Sequence, residues 1–374
     1  MEKEIVKPEQ QAASFFFPDQ EIRGITPIGG GNVNDTWLVR FSSGKFAILQ
    51  KLSRAVFSDP ALVTANLKRV TGHLQQELKK KNDTSIRIPQ LLHSPHGEAT
   101  FIDHRGNHWR MLSYINDSRT VTVLQTPAQA REIGRLLGCF HLLLSTLDPA
   151  DLDNPLPGFH VTSQYLADYD TICRHRPPPL RTREQWCADQ IERFRDRSDI
   201  LQLHRSELTS GIIHGDPKVA NFLFAADSDT AISLIDLDTV MPGLVLHDLG
   251  DCLRSCCNSA GEEIAAPEET SFDEECFAAV MEGYCSQASG LLGTKDRQLL
   301  IDATWLISFE LGLRFFMDHL AGNKYFKIQR PDQNLHRALV QLHLAESLLR
   351  QRSRLDLLWQ RIMMAPKIQP QVSD

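Results

Sequence analysis

Apolar and polar positions alternate with a strand-like period through residues 22–52. Ile25 and Ile28 lead into Gly29-Gly30-Gly31-Asn32, after which Thr36-Trp37-Leu38-Val39 runs back as a second strand. Ser42-Ser43-Gly44-Lys45 supplies turn residues, and residues 46–52 read as a third, strongly apolar strand. The period then changes. Leu62, Leu67, Val70, Leu74 and Leu78 fall near helical spacing and predict a helix over 60–81, followed by short strands at 89–92, 99–102 and 109–114. This is a β-meander with one helix, a small β-rich lobe that closes near residue 115.

From Thr126 the helical period dominates. Thr126 followed by Pro127 predicts an N-cap and first turn for a helix reaching residue 147. Further helices are predicted over 184–206, 273–289, 296–320 and 333–352, with two short apolar strands at 211–214 and 232–235 between them. Residues 154–160 form a Pro/Gly loop, and the basic, Pro-rich stretch 174–183 reads as a solvated one. The expected architecture is α+β and bilobal, with residues 1–115 as an antiparallel β lobe and 116–374 as a larger, mostly helical lobe.

Composition narrows the classes. Of 374 residues, 42% are hydrophobic and 23% charged, which suffices for a core and is unlike a disordered chain. No run approaches the ~18 apolar residues of a membrane span, and Met1-Glu-Lys-Glu lacks the apolar core of a secretory signal. A cytoplasmic protein with reduced cysteines is expected. The eight cysteines include no CxxC pair, so no structural zinc is expected; Cys252 and Cys256 stand four apart, on one face of a buried helix. The net charge of −7, from 47 acidic and 40 basic residues, argues against a nucleic-acid partner.

The chemistry concentrates on the two short strands of the second lobe. The first continues as Ile212-Ile213-His214-Gly215-Asp216-Pro217-Lys218-Val219-Ala220-Asn221, and the second as Leu234-Ile235-Asp236-Leu237-Asp238. Carboxylates at the ends of buried strands are costly unless they bind a cation or move a proton. Asn221 and Asp236 suit Mg²⁺ shared with a phosphate, and Asp238 either helps to hold that metal or fixes the loop. Asp216 is then placed to accept a proton from an attacking hydroxyl, and Lys218 to reach the travelling phosphoryl group. The loop at Gly29, Gly30, Gly31 and Asn32 is followed by a strand, so neither a P-loop nor a dinucleotide-binding turn fits. Its free N–H groups, together with Asn34, can cover nucleotide phosphates. On the third strand Ala47, Leu49 and Lys51 share one face, and Ile48 and Gln50 the other. Either Lys51 reaches the phosphates or Gln50 occupies that position; Lys51 is the preferred residue, with Glu77 as its acidic partner from the helix.

H-x-D-x-x-x-x-N followed by a short hairpin and I-D resembles the catalytic and metal loops of the protein kinase fold, in the H-G-D form of the aminoglycoside phosphotransferase-like branch. The resemblance implies ATP between the lobes, its adenine against Ser113, Tyr114 and Ile115. A longer run, I-D-L-D-T-V-M-P-G with a following D-x-G-D-x-x-R ending at Arg254, is similar to the N-acetylhexosamine 1-kinases. So are G-G-G-x-x-N-x-T, I-L-Q-K, the stretch from Glu310 through Arg314, and Gly322-Asn-Lys-Tyr-Phe326. That similarity implies phosphorylation of the C1 hydroxyl of N-acetylglucosamine or N-acetylgalactosamine, with a small-molecule sugar and ATP as partners. Gly215, Trp186, Arg314 and Tyr325 are the substrate-side residues it suggests. Arg314 stands in an apolar helix, where it either forks onto sugar hydroxyls or pairs with Asp248 or Asp251. Those two aspartates are otherwise expected to brace the catalytic loop. The alternatives are a kinase for another small alcohol (aminoglycoside, choline or homoserine) and a non-catalytic nucleotide-binding protein of the same fold.

Overall fold

Strand pairing begins at Ile22 in the computed structural model, which describes residues 7–28, 33–175 and 179–365. The predicted phosphate loop, Gly29, Gly30, Gly31 and Asn32, lies outside the described residues. Strands β1 (Ile22–Pro27), β2 (Asp35–Phe41), β3 (Phe46–Lys51), β4 (Leu91–Leu92), β5 (Phe101–Ile102) and β6 (His108–Ser113) form one antiparallel sheet, ordered β1-β2-β3-β6-β4 with β5 on β6. Its register sets Trp37 beside Leu49 and Gln50 beside Arg110. One face, with Val39, Leu49, Trp109 and Met111, is covered by Ala12, Ala13 and Phe16 of α1 (Pro8–Phe16), a helix the periodicity does not announce. The opposite face carries Ile48, Gln50, Arg110 and Leu112.

Helix α2 (Pro60–Lys80) starts where Asp59 accepts from the backbone N–H groups of Ala61 and Leu62 at 3.0 and 3.2 Å. Of its predicted stripe Leu67, Val70, Leu74 and Leu78 are buried, whereas Leu62 is half-buried and its neighbour Val63 takes the core position. After β6 the chain passes through Tyr114 to Asp117 into β7 (Ser118–Thr120), which pairs with β9 (Phe222–Ala225) in a second sheet. The remaining strands, β8 (Ser210–Ile213), β10 (Ala231–Leu234) and β11 (Met241–Leu244), complete two small antiparallel sheets, β10-β9-β7 and β11-β8.

Helices supply the rest: α3 (Pro127–Leu144), α4 (Thr162–His175), α5 (Thr182–Phe194), α6 (Ile200–Leu203), α7 (Val245–Cys256), α8 (Glu274–Ala288), α9 (Thr294–Leu320) and α10 (Gln333–Met364). The Oγ1 of Thr126 accepts the Gln129 N–H at 3.2 Å and caps α3. Where α3 crosses α8, a Cβ on Gly134 would stand 1.9 Å from the Val280 carbonyl oxygen, so only glycine permits the approach. Helix α9 is buried along most of its length between α7 and α10. The last helix runs well past its expected end at 352, because Leu355 and Trp359 continue the buried stripe and Trp359 Nε1 donates to the Arg297 carbonyl at 2.8 Å. Cys252 and Cys256 lie on the buried face of α7, their Sγ atoms 3.9 Å apart. No helix among the described residues is long and apolar enough to cross a membrane.

Candidate active site

The octet begins where β8 ends. His214 is fully buried, and a single tautomer serves both ring nitrogens: Nε2–H donates to the Ile235 carbonyl at 2.9 Å, and Nδ1 accepts from the Asp216 N–H at 3.2 Å. Thr239 Oγ1 donates to the His214 carbonyl at 2.8 Å, and the Ile235 N–H to the Asn221 carbonyl at 2.9 Å. Three bonds thus lock the 214–221 loop to the 235–239 loop. Gly215 sits at φ +85°, where a Cβ would meet the Thr239 carbonyl at 2.7 Å. Beneath it, buried Asp248 of α7 accepts the N–H groups of His214 and Gly215 at 2.6 and 2.8 Å and His141 Nε2 at 2.8 Å. Burial pushes its carboxyl up, but these donors hold it below the ordinary range, so Asp248 braces the loop as an anion.

Asp216 is half-buried, and its Oδ2 receives Lys218 Nζ at 2.5 Å and Asn221 Nδ2 at 3.3 Å. Asn221 Nδ2 also bonds the Asp216 backbone oxygen at 2.7 Å, which leaves Oδ1 as its ligand-capable atom. Desolvation works against the Lys218 charge, but the Asp216 and Asp236 carboxylates outweigh it and keep the ammonium protonated. Asp236 adopts the left-handed region at φ +64°, a conformation that costs about 1 kcal/mol or more away from glycine. Its carboxylate opens to solvent yet lies against enough protein, and close enough to Asp238 and Asp216, to be pushed up to about 6, with Lys218 opposing. An under-compensated carboxylate on a loop bonded through the Ile235 N–H to Asn221 is the kind of donor a hard cation relieves. Among the described residues no three His, Cys, Asp or Glu side chains converge as a metal cluster. A Mg²⁺ here would be held by Asn221 and Asp236 together with nucleotide phosphates.

Of the two roles expected of Asp238, metal ligand or loop brace, the geometry favours the second. Its buried carboxylate is occupied on both oxygens, one by Arg110 of β6 and the other by Asn34 Nδ2, so it ties the first sheet to the second lobe instead of facing a metal. Asn34 is likewise committed, since its Oδ1 accepts the Ser53 N–H at 2.9 Å. Lys51 points to the α1 side of the sheet, 2.6 Å from Asp35 and 6.0 Å above the Trp109 ring. Glu77 pairs with Lys80 on its own helix at 2.6 Å, so the two members of the expected Lys–Glu pair do not meet. The face toward Asp238 carries Gln50, whose Oε1 accepts Arg110 Nε and Nη2 at 3.0 and 2.7 Å. Arg110 was missed in the sequence, although an arginine inside the apolar strand His-Trp-Arg-Met-Leu is the signal of a buried partner.

Ser113, Tyr114 and Ile115 lie where the chain passes between the two sheets. Ser113 exchanges bonds with the Gln90 backbone at 2.8 and 2.9 Å, Tyr114 rests 5.5 Å from the Phe46 ring, and the Ile115 carbonyl accepts Ser118 Oγ at 2.7 Å. On the other side, Arg314 pairs with neither Asp248 nor Asp251. Its guanidinium sits 5.2–5.7 Å from the rings of Phe159, Tyr165, Tyr325 and Phe326, and Nη2 reaches the Tyr325 hydroxyl at 3.5 Å. Asp251 instead pairs with Arg254 at 2.7 Å. Trp186 stacks on His343 of α10 at 4.0 Å; the structure joins it to that helix and not to the Arg314 cluster.

Most of the chain superposes on small-molecule kinases. A microcompartment-associated aminopropanol kinase aligns with a TM-score of 0.61 at 17% identity, covering 93% of this chain and 98% of the other. An aminoglycoside phosphotransferase from Alicyclobacillus acidocaldarius gives 0.54 at 15%, with 95% and 96% covered. A Plasmodium vivax ethanolamine kinase gives 0.50 at 12%, with 84% and 80% covered. At these identities the likeness shows the fold, an α+β kinase-like one. The sequence profile of the APH phosphotransferase enzyme family matches residues 24–282, and the chain belongs to that family of small-molecule phosphotransferases.

Proposed function

We propose that this protein transfers the γ-phosphoryl group of ATP to the anomeric hydroxyl of an N-acetylhexosamine in a Mg²⁺-dependent reaction. One observation supports the choice of acceptor: Arg314, which this reading puts on the acceptor side, is a guanidinium held among four aromatic rings. A cationic acceptor such as choline, ethanolamine or an aminoglycoside needs the opposite, an anionic or open aromatic cage. A neutral sugar uses such a wall through ring faces and guanidinium N–H donors. The similarity of the 235–254 run to the N-acetylhexosamine 1-kinases points the same way.

In this reading Asp216 orients the acceptor hydroxyl and takes its proton as the oxygen attacks in line with the leaving β-phosphate oxygen. Lys218 is already hydrogen-bonded to Asp216 and offsets charge on the migrating group. Asn221 and Asp236 hold Mg²⁺, which when bound neutralises charge on the β- and γ-phosphates. Asp248, His214 and Thr239 keep these groups in register.

The test is an acceptor panel with [γ-³²P]ATP: N-acetylglucosamine, N-acetylgalactosamine, their methyl glycosides, ethanolamine, choline, homoserine and kanamycin. The free hexosamines should be labelled and the methyl glycosides, blocked at C1, should not. The labelled product should release phosphate in mild acid, as glycosyl phosphates do. Labelling confined to the amines would overturn the acceptor assignment and leave the phosphotransferase intact.

A further inference from the structure

Behind Arg314 lies a second polar layer that the mechanism leaves idle. Glu310, one turn before Arg314 on α9, is buried and receives Thr162 Oγ1 at 2.7 Å and His160 Nδ1 at 2.9 Å. Burial raises the Glu310 carboxyl, but His160, Arg314 and Thr162 bring it below the ordinary range, so it stays anionic. Facing a carboxylate, His160 Nδ1 carries the proton and donates. In the neutral ring Nε2 is then a bare lone pair. The His160 side chain is 5% exposed, yet Nε2 is buried without any hydrogen-bond partner. Its ring lies 4.0 Å from that of Phe159, which also faces Arg314, and 4.5 Å from that of His247 on α7.

A second orphan atom stands close by. Asp251, one turn after His247, has a side chain 9% exposed, with Oδ1 paired to Arg254 and Oδ2 buried and unpartnered. His160 packs on His247, one turn before Asp251 on α7, the helix whose Asp248 holds the His214 and Gly215 N–H groups next to Asp216. Buried acceptors left unsatisfied are costly, and native proteins rarely keep two together unless something donates to them. What they lack is a donor, and a polyhydroxy or amide-bearing acceptor has one to give.

We infer that His160 is a specificity-determining residue whose Nε2 accepts a hydrogen bond from a non-reacting hydroxyl or amide N–H of the acceptor, beside Asp251 Oδ2. Glu310 is its positioning residue. The inference rests on the acceptor side being where the proposed function puts it, and it adds that the enzyme requires a second donor group on its substrate. A site built around a missing donor discriminates strongly against analogues that lack it.

The experiment uses the full chain, native and His160→Asn, with steady-state kinetics on the acceptor panel extended by monodeoxy N-acetylhexosamines. Asn keeps an N–H for Glu310 and removes Nε2. The variant should lose about tenfold in kcat/KM for its best acceptor, mainly in KM, with the ATP KM unchanged. One deoxy analogue should lose that same factor with native enzyme and little more with the variant. A variant within twofold of native overturns the inference. So does a deoxy series falling equally in both enzymes, which is the signature of a buried water or a purely structural role. If only amines are turned over, the sugar reading fails while His160 is still judged by the variant's acceptor kcat/KM. Turnover of nothing in the panel overturns both. Should His160→Asn unfold, Glu310→Gln decides: the ring remains but Nε2 is no longer fixed as acceptor. A loss of about threefold or more confined to the acceptor KM then supports the assignment, and native kinetics overturn it.

Discussion

Replacing Asp238 by asparagine tests whether that residue is a structural tie or a metal ligand. In the structure Arg110 is 1% and Asp238 4% exposed, and the carboxylate takes one donor from each side, Arg110 and Asn34. The amide of Asp238→Asn has a single acceptor oxygen. Asn34 cannot reverse to meet an Nδ2, because its own Oδ1 holds the Ser53 N–H at 2.9 Å. Whichever way the new amide lies, a donor faces a donor and the Arg110 charge loses its counterion. Breaking one side of a buried pair costs about 3–5 kcal/mol. Gln50 still accepts two guanidinium N–H groups, which sets the expectation at the low end, about 3 kcal/mol. Urea unfolding followed by tryptophan fluorescence reads it directly, since the rings of Trp37 and Trp109 lie 5.2 Å apart in the same sheet. The double variant Arg110→Met/Asp238→Leu removes both charges and should recover at least about 2 kcal/mol relative to the sum of the singles. The Mg²⁺ dependence of the ATP KM should shift only slightly, through the lost charge near Asp236. A loss under about 1 kcal/mol or an additive double variant would refute the tie.

Four further outcomes are expected. Asp216→Asn should lower kcat by about 10²–10⁴-fold with little change in ATP affinity, and retained turnover would remove it as the base. Lys51→Met should leave the ATP KM within about twofold, because Lys51 serves Asp35 on the far side of the sheet; a tenfold rise would return it to the phosphates. Gly134→Ala should destabilise by about 2 kcal/mol or more, since the Val280 carbonyl that blocks the new methyl is backbone and α3 and α8 must part; unchanged urea midpoints count against this. Asp103 accepts Asn107 Nδ2, Trp109 Nε1 and the N–H groups of Arg105 and Asn107 at 2.9–3.0 Å. Burial raises its carboxyl, but these donors depress it well below the ordinary range. Its folded pKa is thus lowered, so its contribution is complete above the unfolded value of about 3.9 and fades as pH falls toward the depressed one. Asp103→Asn should be less stable at neutral pH, with the gap narrowing below about pH 4; a gap independent of pH refutes this.

Much of the fold was legible because local rules decided it. The meander of β1, β2 and β3, the stripe of α2 and the Thr126 cap follow from alternation, 3.6-residue spacing and capping, all of which act within a few residues. Among the features it did not announce, three escaped for the opposite reason. Helix α1 is held by Ala12, Ala13 and Phe16 against a sheet that forms later in the chain. Helix α4 starts directly after the Pro/Gly loop, with Thr162 already bonded to Glu310, 148 positions away. The end of α10 is fixed by Trp359 reaching Arg297.

The sequence by itself determined the octet from His214 to Asn221, Asp236 at hairpin distance and the order of a β-rich part followed by a mostly helical one. A strand, a tight loop and a hairpin of fixed length place their residues with few degrees of freedom. Which charge meets which was decided only in three dimensions. Lys51 and Gln50 differ by one position, and one position reverses the face of a strand. Asp238 became a tie because β6, 128 residues away, sets Arg110 opposite it. His160 acquired its orphan nitrogen because α9 brings Glu310 to its other side, 150 residues on. Contacts between charges on distant segments leave no period in the chain, and burial, which makes those charges consequential, exists only once the core has closed.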